Sequence, residues 1–507
     1  MKISRLTKNI IYNIVGQSLV LVLGFVSVKY IYSRLGGDIV GIVYFAMMAN
    51  TTLCMILELG VCSTAVREVS AHYEKDPGYT QEFIRVFSSF YWVLYIVVGV
   101  LIYLFAPVLA GKWLKLQNID SATAEYALRV LLISSLLALP KSFYASIVRG
   151  LQRMEINNSI DAAIMGIQQL GIIIVIINGG SLIHIAYWIA ATHVLGLIAF
   201  VVACMRLFPA AKILMPGYSR DIIKRNFRYT AHMTVISLTA LMYLQVDKVI
   251  LSKILPIDTF GYYYFAYSIV AKGALVTMAI SYAVFPHVSN IFATGDKNVM
   301  EKQYHKLQDM LCFLIAPVFA AIPFAALPLF TYLFNETIAR TLLLPTTLLC
   351  LGFYMTGTLT IPNNISFVVG KPNIVARQNL LVIFVVVPVT VLCIRMWGMV
   401  GASLSIVVYS LFCYFYSIPR ICRECIGMPA RAWYLHILRI YCLVGLTYGI
   451  AYGALNLFDY FTLYSLSIAY GIATISMLAG SYYLVGNELK KTMIRVFAIR
   501  LGRRSYQ

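Results

Sequence analysis

Hydrophobic residues in this chain fall in long blocks separated by short polar segments that are often basic. Most blocks hold about 20 residues, and a helix of that length, rising 1.5 Å per residue, crosses a hydrocarbon core of about 30 Å. Because lipid offers the backbone no hydrogen-bond partners, such blocks must be helical. The pattern predicts an all-α polytopic membrane protein with about 14 transmembrane helices. The predicted spans are residues 9–33, 38–66, 83–108, 123–147, 160–178, 183–207, 229–254, 259–292, 309–334, 341–368, 377–397, 399–418, 434–456 and 461–485.

The composition agrees with a membrane protein. Of the 507 residues, 61% are hydrophobic and 12% are charged, and the mean hydropathy is +0.81. A soluble domain is about half apolar and a quarter charged, so this chain lacks the polar surface that would coat a water-soluble globule. The ten cysteines include one close pair, Cys422 and Cys425, with no second pair beside it. We interpret the cysteines as packing residues and expect no metal site and no cofactor.

Basic residues concentrate in alternate loops. The N-terminus, the loops after even-numbered spans and the C-terminal segment hold about 27 Lys and Arg, against about six in the opposite loops. Because cytoplasmic loops carry the excess of Lys and Arg, both termini are predicted to lie in the cytoplasm. This distribution accounts for most of the net charge of +20, so no nucleic-acid partner is expected.

Two stretches of the chain share the motif D-x-x-G-x-x-Y-F-A. The motif starts at Asp38 and again at Asp258, 220 positions later, and Gly150 recurs at the same offset as Gly370. This offset maps the first six spans onto the next six. Because six is even, both halves enter the membrane with the same orientation, which predicts two six-helix bundles related by a pseudo-two-fold axis along the membrane normal. Two C-terminal helices lie outside the repeat.

The repeat and the loops give the predicted domain boundaries. A first six-helix bundle is predicted at residues 1–212, an interfacial cytoplasmic linker at 213–228 and a second six-helix bundle at 229–420. Residues 421–507 would hold two extra helices and a basic tail. The basic residues near the linker suit an anionic membrane surface. They are Arg220, Lys224, Arg225 and Arg228.

Lysines inside apolar spans are the first candidates for a binding site, because each ionised group costs about 2.5–3.5 kcal/mol at a helix centre. Lys29 and Lys248 are counterparts in the repeat, because they open the similar segments KYIYSR and KVILSK. Both lie near a helix end, where lysine can also extend to the headgroups, and Lys248 can equally form a purely structural pair with Asp247. On a helical projection of the seventh span, Asp247 shares one face with His232, Thr239 and Tyr243.

Lys272 is the strongest single candidate for substrate binding. It lies well inside the eighth span, on one face with Tyr264 and Ser268, too deep to reach the headgroups easily. Lys141 lies toward the inner end of the fourth span, where reaching the interface is the favoured explanation, and Glu58 is a deeper candidate counter-ion or proton site. A cationic cavity of this kind would select an anionic substrate such as a pyrophosphate.

The remaining ionisable residues in the spans have simpler explanations. Glu125 and Arg129 are four residues apart and are expected to pair on one helix face. Asp161 and Asp309 lie near inner helix ends and are expected to be solvated. No phosphate-binding loop, paired carboxylates or His cluster occurs in the sequence, so the protein is expected not to be an enzyme.

Several local motifs resemble the polysaccharide-transporter flippases, the Wzx-type O-antigen flippases of the MOP exporter superfamily. These flippases are relatives of the lipid II flippases and the MATE exporters, and the resemblance covers the whole chain. The motifs are N-x-x-x-N-x-x-G-Q from Asn9, RLGGDIVG from Arg34, ELGVCSTAVRE from Glu58, RGLQR from Arg149, and VDKVILSKIL from Val246 followed by FGYYYFAYSI from Phe260.

The resemblance implies a transporter of the bacterial inner membrane that works by alternating access. It implies a cationic cavity for an undecaprenyl-pyrophosphate-linked oligosaccharide, flipped from the cytoplasmic to the periplasmic leaflet for surface polysaccharide biosynthesis, with the last two helices near the lipid tail. On this analogy Lys29, Lys248 and Lys272 contact pyrophosphate or sugar, and Arg67 and Arg153 lie at the cytoplasmic mouth. Partners would be membrane lipids, a coupling ion (H⁺ or Na⁺) and polysaccharide polymerase machinery.

Two alternatives stay open at this point. A MATE-like ion-coupled drug or cation antiporter should carry an acidic cavity, whereas the deep ionisable residues here include more lysines than carboxylates. A membrane-embedded glycan polymerase or acyltransferase usually carries a large external loop, and the sequence predicts only short ones.

Overall fold

The computed structural model describes residues 5–208, 215–293, 297–457 and 462–485. Within these ranges the chain is almost entirely helical and forms no named strand. Short π-helical turns at Leu109–Trp113 and Cys422–Ile426 extend two of the helices. The helices are α1 (Arg5–Leu35), α2 (Gly37–Leu57), α3 (Val61–His72), α4 (Pro77–Val108), α5 (Ser121–Ser135), α6 (Ala138–Gly150), α7 (Met154–Ile177), α8 (Leu182–Leu207), α9 (Arg220–Leu244), α10 (Val246–Ile254), α11 (Ile257–Ala293), α12 (Lys297–Leu333), α13 (Glu336–Thr358), α14 (Thr360–Val368), α15 (Asn373–Trp397), α16 (Met399–Ile421), α17 (Ala430–Leu457) and α18 (Leu463–Leu484).

The fold is that of a polytopic helical membrane protein. In the part of the chain that the structure describes, eleven helical segments are long and apolar enough to cross a membrane, or twelve if the bent pair α9 and α10 forms one span. Helices also occupy the first and last predicted spans, as α1 and α18, but these two are outside that set. The predicted number of about 14 spans therefore remains a prediction, as does the pseudo-two-fold axis.

The second predicted span is broken in the structure. Helix α2 ends at Leu57 and α3 begins at Val61, and the connection places Leu59 at φ 48° and Gly60 at φ 65°. A Cβ atom on Gly60 would lie 2.5 Å from the Cβ of Met233 on α9. Glycine is required here because the backbone is left-handed and α9 packs directly against it.

The seventh predicted span is also broken. Helix α9 ends at Leu244 and α10 starts at Val246, and their axes differ by 43°. Gln245, between them, has φ −124° and ψ −20°, outside the helical range. Helix α9 itself begins at Arg220, so residues 220–228 of the predicted linker form its first turns.

The structure divides into two compact units, Met1–Tyr264 (unit 1) and Phe265–Gln507 (unit 2). The division falls inside α11, and the predicted domain boundaries remain a prediction. Within unit 1, the first copy of the repeated motif packs against the part of the second copy that precedes Phe265. A Cβ on Gly261 would lie 2.5 Å from the Cα of Gly41, and the rings of Tyr44 and Tyr264 are 6.0 Å apart. The motif glycines thus allow α2 and the start of α11 to cross in backbone contact.

Candidate functional site

Asp247 and Lys248 form a buried ion pair at the start of α10. The Lys248 ammonium lies 3.0 and 3.2 Å from the two carboxylate oxygens of Asp247 and 2.5 Å from the carbonyl oxygen of Leu244. The two side chains are 3% and 6% exposed. A charge taken out of water this completely is tolerated when its partner and further hydrogen bonds compensate it, as they do here.

The bend at Gln245 changes the predicted surroundings of Asp247. Because α9 and α10 are not collinear, the helical face that the sequence predicted through His232, Thr239, Tyr243 and Asp247 does not continue past the bend. That expectation was wrong, since a projection assumes one straight helix.

Lys272 has the opposite environment. It lies on α11 in unit 2 and is exposed, while the neighbouring Gly273 packs toward Phe319. Among the residues that the structure describes, Lys272 has no hydrogen bond or ion pair. Tyr264, predicted on the same face about two turns earlier, is buried and packs against Tyr44.

Lys141 is held by an acidic residue that the sequence did not point to. Its ammonium lies 2.8 Å from an oxygen of Asp161 on α7 and 5.6 Å from the ring centroid of Phe200 on α8. Both charged side chains are half-buried, at 26% and 32% exposure. The sequence analysis did not predict this pair, because it joins residues on two different helices.

Lys29 is half-buried on α1. The nearby Ser27 hydroxyl donates to Oε1 of Gln169 on α7, at 2.5 Å, so this part of α1 lies against α7. The expected pair of Glu125 and Arg129 is confirmed, with 2.7 Å between the charged atoms. Glu58 is half-buried at the break between α2 and α3, where its carbonyl accepts from the hydroxyl of Tyr91.

The two candidate gate residues differ in what they contact. Arg67 of α3 donates to Glu68 at 2.9 Å and to the side-chain oxygen of Asn226 at 3.3 Å, and its guanidinium lies 3.8 Å from the ring centroid of Tyr229. It therefore joins α3 to α9. Arg153 is exposed in the turn before α7, where it lines a polar pocket of about 440 Å³.

A segment after α4 ties several parts of unit 1 together, and we call residues 113–118 the strap. Asp38, which is 4% exposed, accepts the backbone N–H groups of Gln117 and Asn118 at 3.0 and 2.6 Å. Further bonds join the strap to the end of α10 and to the first residue of α11. Trp113 Nε1 donates to Ser252 Oγ, Lys115 Nζ donates to the Ile254 carbonyl, and the Ile257 N–H donates to the Lys115 carbonyl.

Unit 2 holds a buried polar cluster that sequence reasoning missed. Asp309 is 1% exposed and lies 2.5 Å from Nε2 of His436 on α17. The expectation that Asp309 is solvated was wrong, because α17 covers it. The sequence contained a signal for this pair. Asp309 and His436 both lie near the start of predicted spans that enter the membrane from the same side, so the two residues are expected at a similar depth.

Helices α17 and α18 border a shallow apolar groove in unit 2, with a volume of about 500 Å³. Small residues, among them Ala451 and Ala454, leave room between the two helices. The remaining lining is mostly aliphatic or aromatic and includes Tyr464, Ile468 and Ile472.

Comparison with known proteins relates the chain to transporters. The model of the family described as polysaccharide biosynthesis protein matches residues 6–292, more than half of the chain. A Shigella flexneri protein whose name describes it as a candidate O-antigen transporter is 21% identical over 399 residues, which cover 78% of this chain and 93% of that protein.

Two solved structures show the same fold. The lipid II flippase MurJ in its inward closed conformation has a TM-score of 0.71 at 13% identity, over 93% of this chain and 98% of that one. A multidrug-resistance MATE transporter of the MOP superfamily, inward-facing, has a TM-score of 0.63 at 15% identity, over 81% and 98% of the two chains. At these identities the similarity establishes the architecture alone.

Proposed function

This chain belongs to the polysaccharide biosynthesis protein family, and we propose that it flips an undecaprenyl-pyrophosphate-linked oligosaccharide from the cytoplasmic to the periplasmic leaflet. The observation that carries the proposal is the similarity, over most of both chains, to a relative named as a candidate O-antigen transporter. The protein would work by alternating access in the bacterial inner membrane, with both termini in the cytoplasm and no covalent chemistry.

The surroundings of Lys272 favour an anionic substrate. Lys141 and Lys248 already have carboxylate partners at hydrogen-bonding distance, whereas Lys272 has none among the described residues. An unpaired ammonium inside a span costs about 2.5–3.5 kcal/mol, a cost that a pyrophosphate would offset on binding. We therefore propose Lys272 as the principal phosphate contact. Lys29 remains a separate candidate for contact with the substrate.

The groove between α17 and α18 supports a lipid-linked substrate. It presents apolar side chains along two helices that lie outside the repeated spans. A polyprenyl chain needs such a surface, because its hydrocarbon must stay in an apolar environment while its headgroup crosses. We propose that the prenyl tail lies along this groove.

The decisive experiment measures lipid-linked intermediates in cells that lack this protein. We expect polyprenyl-pyrophosphate oligosaccharide to accumulate, and the wild-type protein to reverse the accumulation. Lys272→Ala should fail to reverse it at equal membrane abundance, whereas Lys112→Ala, at an exposed lysine outside the span core, should restore it fully. Normal intermediates in the deletion strain, while the glycan is being made, would contradict a flippase and favour the ion-coupled antiporter.

A further inference from the structure

Unit 1 contains a second apolar groove, between α4 and α9, with a volume of about 860 Å³. Ile223, Phe227 and Val235 of α9 line it and are 38%, 68% and 58% exposed. Phe90 and Val93 of α4 face the groove from the other side. Exposed apolar side chains on this scale need a hydrocarbon cover, because contact with water would be unfavourable.

One end of this groove is closed by the segment that leads into α9. The N–H of Gly217 donates to the hydroxyl of Ser89 at 2.9 Å, and the guanidinium of Arg85 donates to the carbonyl oxygens of Met215 and Pro216. Gly217 lies so close to α4 that an added Cβ would be 2.9 Å from the Cβ of Arg85. The groove therefore has a fixed end at the start of α9.

Two unpaired cations stand beside that closed end. Lys224 and Arg228 are exposed, and neither forms an ion pair with any described residue. One stripe along α9 contains residues 224, 228, 231 and 235, of which Ala231 and Val235 line the groove. The stripe thus changes from cationic to apolar within about two turns, which matches the polarity change from phosphate to acyl chain in a phospholipid.

We propose that this groove binds one anionic phospholipid, with an acyl chain between α4 and α9 and its phosphate at Lys224 and Arg228. Helices on both sides are of the apolar type that a membrane covers, so the occupant is a lipid and not a soluble protein. Two cations without acidic partners favour a headgroup with net negative charge over a zwitterionic one. The site does not depend on the proposed transport function.

Native mass spectrometry of the delipidated full-length protein tests the charge requirement. Phosphatidylglycerol should bind more tightly than phosphatidylethanolamine, and Lys224→Gln/Arg228→Gln should weaken phosphatidylglycerol binding by roughly 30-fold. The matched control, Arg377→Gln/Arg395→Gln, removes two exposed cations elsewhere that likewise form no ion pair among the described residues, and it should leave binding unchanged. Equal binding of the two lipids, or equal losses in both double variants, would overturn the proposal.

A bulky substitution in the groove tests where the acyl chain of the lipid lies. Ala231→Trp should reduce binding of phosphatidylglycerol at unchanged thermal stability, because the indole would occupy the space between α4 and α9. Unchanged binding in this variant would show that the acyl chain lies elsewhere. Polyprenyl phosphate is the competing arm, and its binding in place of phosphatidylglycerol would reassign the groove to the carrier lipid and overturn the proposal.

Discussion

Lys248 and Lys272 lie in two helices of the same chain and have opposite surroundings. The first is 2% exposed and bound to both carboxylate oxygens of Asp247, and the second is exposed and unpaired among the described residues. Replacing Lys248 therefore disturbs the folded state itself, because a buried carboxylate loses its counter-charge. Replacing Lys272 removes a charge that the fold does not use.

Lys248→Met should lower the free energy of unfolding by about 3–5 kcal/mol, because Asp247 would remain buried without a partner. The double variant Asp247→Leu/Lys248→Met should recover most of that loss. Thermal unfolding in detergent measures both effects. A single variant as stable as the wild type would contradict the buried pair.

Measuring transport by the double variant distinguishes a structural role of the Asp247–Lys248 pair from a role in substrate binding. If Lys248 also contacts the substrate, as the resemblance implies, the double variant will remain defective in transport, and more so than Lys29→Ala. Restored transport together with restored stability would make the Asp247–Lys248 pair purely structural.

At the scale of the helices, the crossing of α2 and α11 depends on two glycines. Gly261→Val should cost about 1–3 kcal/mol or more, because its added atoms would meet the backbone of Gly41, which cannot move aside as a side chain can. Gly99→Val, on α4, is the matched control, since nothing lies within 4 Å of its added Cβ. Unfolding temperatures of the two purified variants give the comparison. Equal temperatures would contradict the close crossing.

The helices themselves could be predicted from the sequence, but their breaks could not. Apolar block length is a local property, so each predicted span contains a helix. The break at Gly60 combines a left-handed backbone with close packing of α9, and neither is recorded in a hydropathy pattern. The same limit applied to the ion pairs. Glu125 and Arg129 share one helix and were predicted, whereas Asp161 and His436 bind partners on other helices and were not.

At the scale of the whole molecule, the positive-inside distribution predicts an orientation that labelling can test. A membrane-impermeant maleimide applied to intact spheroplasts should label Lys112→Cys in a cysteine-free background and should not label Tyr218→Cys. Both side chains are exposed, so their access to the reagent differs only by the side of the membrane. After permeabilisation both should react. Labelling of Tyr218→Cys in intact spheroplasts would reverse the proposed topology.

The strap also sets how rarely this part of unit 1 comes apart. Five hydrogen bonds join residues 113–118 to Asp38, to the end of α10 and to the first residue of α11. At about 1 kcal/mol net for each bond, a conformation that lacks all five would be occupied by about one molecule in several thousand. Any state of unit 1 in which these elements separate must therefore gain about the same free energy from another interaction.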